Sequence, residues 1–535
     1  MEPRQYDVIV LGGAFSGAAV ANLLLRQKKD RRVLIIESKI EFDCKVGEAT
    51  VEMSGLFLHR RLGLWDYMSR HQLYKQGLRY WFHNEKTEDL LGSAETGPFV
   101  SVSVPSFQLN RATMDEKLLS LAVEAGAELV RPARVVKVEL KDYDNLVTYS
   151  QDGMEKQARA PWVLDATGKA TLLGRQLGIT AANAEHPTAA LWARFEGVLD
   201  MDANLYPRNK YWNQTVVTSR RNATNHFCGF GYWIWAIPLH NGTTSVGVVY
   251  DKRLIKLADG PREAALMKFF NGIPGLKQIM MNARVYEGDL KNYDSLPYVA
   301  SKYMGRGWAL VGDAAAFMDP YYSPGLDHCS ISAEATSRLV GRQLDGRLSG
   351  EVIDNLISTH NDRFTRSYDW FFQTVYKDKY FYMGESDLLS AAFMIDTSFY
   401  YIYLVKPTFR DPRQYSNLPP YHAKAARPFF LFHRFLNRRL KKIAVNRIRA
   451  GRAGRLNDGR RIGVNYALGW RAEENLYRGL KLWAKAELNN LWIAPLGWRN
   501  RNAGLADLAR MAACTGSRPE TMPAPAPAMT EKLPA

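Results

Sequence analysis

The sequence predicts an α/β protein: a nucleotide-binding domain interwoven with a mixed-sheet domain, followed by a mainly helical C-terminal region. Three observations predict it. The chain opens on a strand, a glycine turn and a helix, YDVIVLGGAFSGAAVANLLLRQ. Two later apolar strands end in turn motifs, Asp165-Ala166-Thr167-Gly168 and Gly312-Asp313. Beyond residue 345, stretches such as DNLISTHNDRFTRSYDWFFQTVYKD carry helical rather than alternating periodicity. A length of 535 residues is too great for one simple core.

The first element is the most explicit. Val8, Ile9, Val10 and Leu11 read as a buried strand. Gly12 makes the tight turn into Gly13, Ala14 and Ser16, and Gly17 lets the helix pack close to the strand. The helix N-terminus then faces a pyrophosphate. RRVLIIES supplies a second strand ending in Glu37, twenty residues after Gly17, where a carboxylate binds a ribose hydroxyl pair. The order is Rossmann-like, with Ala14 standing where a middle glycine is usual. QLNRATMDEKLLSLAVEAGAEL adds a strand and an amphipathic helix headed by Arg111.

Taken together, these segments resemble the flavoprotein monooxygenase superfamily over roughly residues 1 to 345. The resemblance implies FAD as the cofactor. It places Arg111, Asp165, Gly168, Gly312 and Asp313 beside it, with the Gly-Asp acid on the ribityl chain. The nucleotide-binding pieces are expected at 1–80, 111–184 and 291–345. Substrate-domain strands are expected at 81–110 and 185–290, helices at 346–516 and a disordered tail at 517–535.

Three shorter matches resemble the flavin-dependent halogenases, of the phenol-acting type. YWIWAIP fits their Trp-x-Trp-x-Ile-Pro signature with Trp233, Trp235, Ile237 and Pro238. Alternation puts both indoles on one face of a strand. The resemblance implies a wall beside the passage from flavin to substrate; without it, two tryptophans filling a sheet core would explain the spacing. LYKQGLRYWF carries Lys75-Gln76-Gly77, which fits the Lys-x-Gly of the phenol-acting enzymes. Lys75 is thereby implied to take up hypohalous acid and present it to the ring. Alone, it would read as a surface lysine before a turn glycine. KVGEATVEMSG resembles the segment that approaches the flavin, with Gly47 near the ring and Glu48 near the tunnel.

Two departures follow. Tryptophan-acting enzymes have a glutamate where this chain has Tyr322, which directs the expectation to an electron-rich phenol. The family's halide-holding amides fall at Ser323, Pro324 and Gly325, and proline has no N–H. A halide site built from Ser323 and Gly325 is expected to be weaker, or to prefer a larger halide. The implied reaction uses halide, O2 and FADH2 from a separate flavin reductase. An FAD-dependent aromatic hydroxylase or prenyl-type reductase using NAD(P)H shares the frame. Pro324 suits that alternative, and WIWAIP and Lys75 oppose it.

Composition bounds the remainder. The chain is 46% hydrophobic and 12% aromatic, as globular proteins are. Its four cysteines have neither metal-ligand nor disulfide spacing, so no metal site and reduced thiols are expected. No leader pattern opens the chain, and Ser390 to Val405 is too short and carries Asp396, a poor membrane span. The expected location is the cytosol. Net charge is +17, and Arg427 to Arg461 holds twelve Lys or Arg against Asp458 alone. That segment reads as a solvated helix face, as a dock for an acidic carrier protein, or as peripheral contact with an anionic membrane surface. No nucleic-acid motif accompanies it.

Overall fold

The computed structural model describes residues 2–411, 415, 417–466 and 471–516. A six-stranded sheet runs in the order Met304–Gly305, Trp308–Leu310, Trp162–Asp165, Val8–Leu11, Val33–Ile36 and Glu128–Val130. All neighbours are parallel except the first pair. The two strands VIVL and VLII are buried at every position. That is the pattern of a parallel sheet covered on both faces. The helices Phe15–Gln27, Arg111–Glu124 and Gly325–Leu344 pack around it.

A nine-stranded mixed sheet stands beside it. Its central run is Thr188–Glu196, Thr244–Asp251, Tyr232–Pro238, Thr224–Gly229, Leu78–Phe82 and Ala94–Gly97. Two details add to the sequence expectations here. The sheet begins at Leu78, inside the stretch assigned to the nucleotide domain, while Ser106–Gln108 leaves it to pair with Leu73–Lys75. The C-terminal region also contributes a strand: Arg461–Gly463 pairs in parallel with Ala94–Gly97. Three residues are too few to show a strand period in the sequence.

A buried charge cluster fixes that edge. Glu95 accepts from Arg79 and from Arg220 at 3.1 Å, and forms an ion pair with Arg461 at 3.1 Å. All four side chains are removed from solvent. The Arg461 strand is thereby tied to the sheet by charge as well as by backbone.

The helices Gly350–Phe371, Ser386–Tyr400, Arg427–Arg449 and Arg471–Leu496 cover the junction of the two sheets. The continuous helical stretch Ser386–Arg410 is long and apolar enough to cross a membrane, yet most of it is buried inside the protein. The basic segment divides in two. Arg439, Lys441, Arg447 and Arg461 pair inward with Glu487, Asp378, Asp387 and Glu95. Phe430, Leu436, Leu440 and Ile443 bury the apolar face of its helix. The proposed tail 517–535 lies outside the described residues.

Glu95→Gln removes the shared counter-charge and leaves three buried guanidiniums facing one another. Removing one partner of a buried pair costs about 3–5 kcal/mol. Thermal unfolding followed by tryptophan fluorescence is expected to show that loss, and an unchanged midpoint would show the cluster to be neutral for stability.

Candidate active site

The Val8–Leu11 strand lies between Val33–Ile36 and Trp162–Asp165, so connections leave it in opposite directions. Ligands of open α/β sheets sit at such a point. Three turns meet there. Gly12 has φ +93°, and a Cβ on it would lie 2.7 Å from the Ala166 carbonyl oxygen. A Cβ on Gly17 would lie 1.8 Å from the Gly12 oxygen, and one on Gly312 would lie 2.2 Å from Ser16 Oγ. Glycine alone permits approaches this close. Glu37 Oε2 accepts the Gly13 amide at 2.7 Å, so it braces the first turn. Ala14 precedes the helix in extended conformation.

Arg111 heads its helix, pairs with Asp115 and reaches back to the Gly47 carbonyl at 3.2 Å. Asp313 borders the same space, and burial pushes its carboxyl up to about 6 while Arg111 pulls it down. Gly168, at φ +62°, and Gly325 have open room beside them. A cradle that side chains would fill, lined by turn amides and one arginine, suits the pyrophosphate and ring of FAD. One expected ligand is corrected. The Asp165 carboxylate is wholly buried and accepts the Thr167 amide, the Thr167 hydroxyl and the Leu173 amide at 2.7–2.9 Å. Its oxygens are taken up in shaping the turn.

From Gly47, Arg111 and Asp313 a cavity of about 730 Å³ runs between the two sheets. Trp233, Trp235 and Ile237 form part of its wall. Tyr232, by contrast, packs edge-on against Phe269 on the sheet's other side. Trp233 donates to Tyr380 Oη and Trp235 to Ser245 Oγ, both at 3.0 Å. Gly247 stands opposite Trp235, and a Cβ there would lie 2.4 Å from its indole and 2.3 Å from Trp192. The wall therefore requires that glycine. Glu48 borders the cavity and is held by Arg194 at 2.9 Å, which Asp289 grips in turn at 2.7 Å. Pro238 does not border the cavity; it closes the strand opposite Thr244.

Lys75 is completely buried and donates to the Thr50 carbonyl at 2.7 Å. Val51 and Glu52, next along the chain, border the cavity, so Lys75 stands directly behind its wall. Burial pushes its amine down to about 7, against the pull of the Glu52 and Asp327 carboxylates. The same burial pushes Asp327 up to about 7, although Ser54 N–H at 2.7 Å and Tyr400 O–H at 2.8 Å donate to it. Glu52 is raised likewise and accepts from Tyr401 Oη at 2.9 Å. His226, also on the cavity, is pushed down to about 3 by burial and then by Lys75. The result is an amine that sheds its proton near neutrality beside two reluctant carboxylates.

The halide segment is strained. Tyr322 and Ser323 both adopt left-handed conformation, at φ +72° and +56°. The Ser323 amide is already given to Pro320 O at 2.8 Å, so the expectation that it holds halide is corrected. Gly325 begins a 20-residue helix whose first amides and positive end point at the cavity. Phe371 borders the cavity, whereas Phe372 packs on His186 and Tyr376 donates to Tyr321 O at 2.8 Å.

Sequence reasoning missed Glu52, Asp327, Tyr400, Tyr401, His226 and Asp396. Glu52 lay within a quoted segment, four residues after Glu48, and Asp327 two residues beyond Gly325, where an acid beside each motif was a usable signal. The others come from segments without a motif.

A family model described as tryptophan halogenase matches residues 90–386, more than half of the chain. The chain belongs to the tryptophan halogenase family. The flavin-dependent halogenase chlA of Dictyostelium discoideum is 26% identical over 444 residues, 75% of this chain and 70% of its own length. The 1H-pyrrole-2-carbonyl-(peptidyl-carrier protein) brominase of Pseudoalteromonas luteoviolacea is 27% identical over 350 residues, 64% of this chain and 79% of its own. Among solved structures, halogenase PltM in complex with phloroglucinol and FAD aligns at TM-score 0.69 and 18% identity, over 90% of this chain and 96% of that one. That likeness speaks for the fold. As a flavin-dependent halogenase of this family, the enzyme is an oxidoreductase that uses FAD, O2 and halide.

The Lys75 amine is expected to titrate near about 7 in 13C-lysine NMR, assigned by its absence in Lys75→Met. Asp327→Asn removes a charge that raises it, so the midpoint moves to lower pH. A midpoint near the ordinary lysine value would show the amine to be solvated.

Proposed function

We propose that this halogenase installs chlorine or bromine on an electron-rich, phenol-type ring, with Lys75 handing on hypohalous acid. One observation carries the reading: a single cavity joins Gly47, Arg111 and Asp313 on the flavin side to the wall behind which Lys75 is buried. FAD would be held by the turns at Gly12–Gly17, Gly168 and Gly312, and, reduced by a separate flavin reductase, supplies the oxidation of halide by O2. The Gly325 amide and the helix end behind it favour the halide. Trp233, Trp235 and Ile237 keep water from the route between. Released from Thr50 O, the neutral Lys75 amine reaches the cavity and takes up the oxidant, while Glu52 and Asp327 accept and return protons beside it. Tyr322 in place of a carboxylate suits a ring that its own hydroxyl activates.

A second reading concerns how the substrate arrives. Tyr403 and Phe429 border the cavity while half exposed, so the mouth opens at the start of the basic Arg427–Arg449 helix. An aromatic acyl group on an acidic carrier protein would be drawn there, and its halogenation would fall steeply with salt.

Purified enzyme, FAD, NADH and an unrelated flavin reductase are expected to convert phenols or resorcinols to products with a halogen isotope pattern. Lys75→Ala is expected to lower the yield by at least ~10²-fold. Products that gain oxygen instead would move the assignment to a hydroxylase.

A further inference from the structure

The cavity holds a second buried lysine cluster, which the halogen route does not use. Lys379 lies under the cavity floor with 1% of its side chain exposed and donates to Asp396 Oδ2 at 2.9 Å and to Tyr322 Oη at 2.8 Å. Tyr322 donates to the same Asp396 oxygen at 3.1 Å. Asp396 sits on the buried Ser386–Tyr400 helix and borders the cavity, its side chain 13% exposed. Among the described residues its other oxygen, Oδ1, receives no hydrogen bond. The surroundings are aromatic: Phe393 and Tyr322 lie 5.4 Å apart, and Trp233 contacts Tyr321 at 5.2 Å.

We infer that Asp396 binds the ring hydroxyl of the substrate and takes its proton, making the site selective for hydroxyarenes. Three observations carry this. One carboxylate oxygen is anchored by an ammonium and a phenol, which fixes the group's direction. The second oxygen has no protein donor among the described residues, and its carboxylate borders a cavity walled by flat rings, so it is free to accept from a ligand there. Tyr322 holds its place in the anchor through a left-handed backbone, and such an outlier persists where the surroundings demand it. A structural ion pair would need neither the exposed oxygen nor the strain.

The inference rests on the proposed halogenation. In the step it adds, the substrate O–H bond breaks, the electron pair stays on the phenolate and the proton passes to Asp396 Oδ1. The ring carbon then takes halogen from hypohalous acid as its O–X bond breaks, and the departing hydroxide receives the Asp396 proton as water. Loss of the ring proton from the halogenated carbon and its return to the oxygen restore the phenol. The sum is arene and hypohalous acid giving haloarene and water.

The test compares wild type with Asp396→Asn on a series of phenols of falling pKa, with FAD occupancy read from the flavin absorbance. The variant is expected to lose ~10²-fold in kcat on phenols that are protonated at the assay pH. It is expected to recover towards wild type on nitrophenols that are already ionised. A merely structural role would lower every phenol alike, and that result, or no loss at all, overturns the inference. Should the variant not fold, oxidised FAD-loaded wild type is titrated with a phenol and with its methyl ether. At least tenfold tighter binding of the phenol supports Asp396 as its acceptor, and equal binding overturns it. Wild type that halogenates no phenol marks failure of the underlying function, a separate outcome.

Discussion

The arrangement depends on removing one amine from water. An ammonium at Lys75 would lose its hydration without gaining a full ion pair, since Thr50 offers it only a carbonyl. Burial therefore favours the neutral form, the form in which an amine is nucleophilic and the one the proposed route requires. Glu52 and Asp327 keep the cost from growing without abolishing the effect, because burial draws them too towards their neutral forms. A more exposed lysine would stay protonated and inert towards an electrophilic halogen.

Maintaining that burial explains much of the surrounding architecture. Lys75 ends a short strand that pairs with Ser106–Gln108, and Gly77, at φ +69°, turns the chain directly into the large sheet. That sheet is locked at its edge by Glu95 and three arginines, one of them from the C-terminal region. The indole wall rests on Gly247 and on hydrogen bonds that leave the Trp233 and Trp235 nitrogens satisfied. The helices beyond residue 345 then close the far side and bring Tyr400, Tyr401 and Asp396 to the cavity.

The legible part of the molecule is the part whose function is carried by contiguous backbone. Gly12, Gly17 and Gly312 announce themselves because a turn that accepts a dinucleotide excludes side chains at fixed spacing. Trp233 and Trp235 are legible because a strand puts alternate residues on one face. Asp165 shows where motif reading overreaches: the residue is where the pattern places it, but its oxygens are spent on its own turn. Asp396, Lys379 and His226 were illegible because each acts across long sequence separation. The strand Arg461–Gly463 was illegible because a buried salt bridge, not a periodic pattern, specifies it.

The central claim is that an oxidant formed on the flavin side travels within one cavity to the substrate without passing through bulk solvent. Adding excess free methionine, a scavenger of hypohalous acid, to bromide-containing turnover tests it directly. The account predicts that brominated product per reduced flavin stays constant as methionine rises, since the oxidant never meets bulk solvent. A yield that falls in proportion to the scavenger would show that the oxidant leaves the protein before it reacts, and would contradict the account.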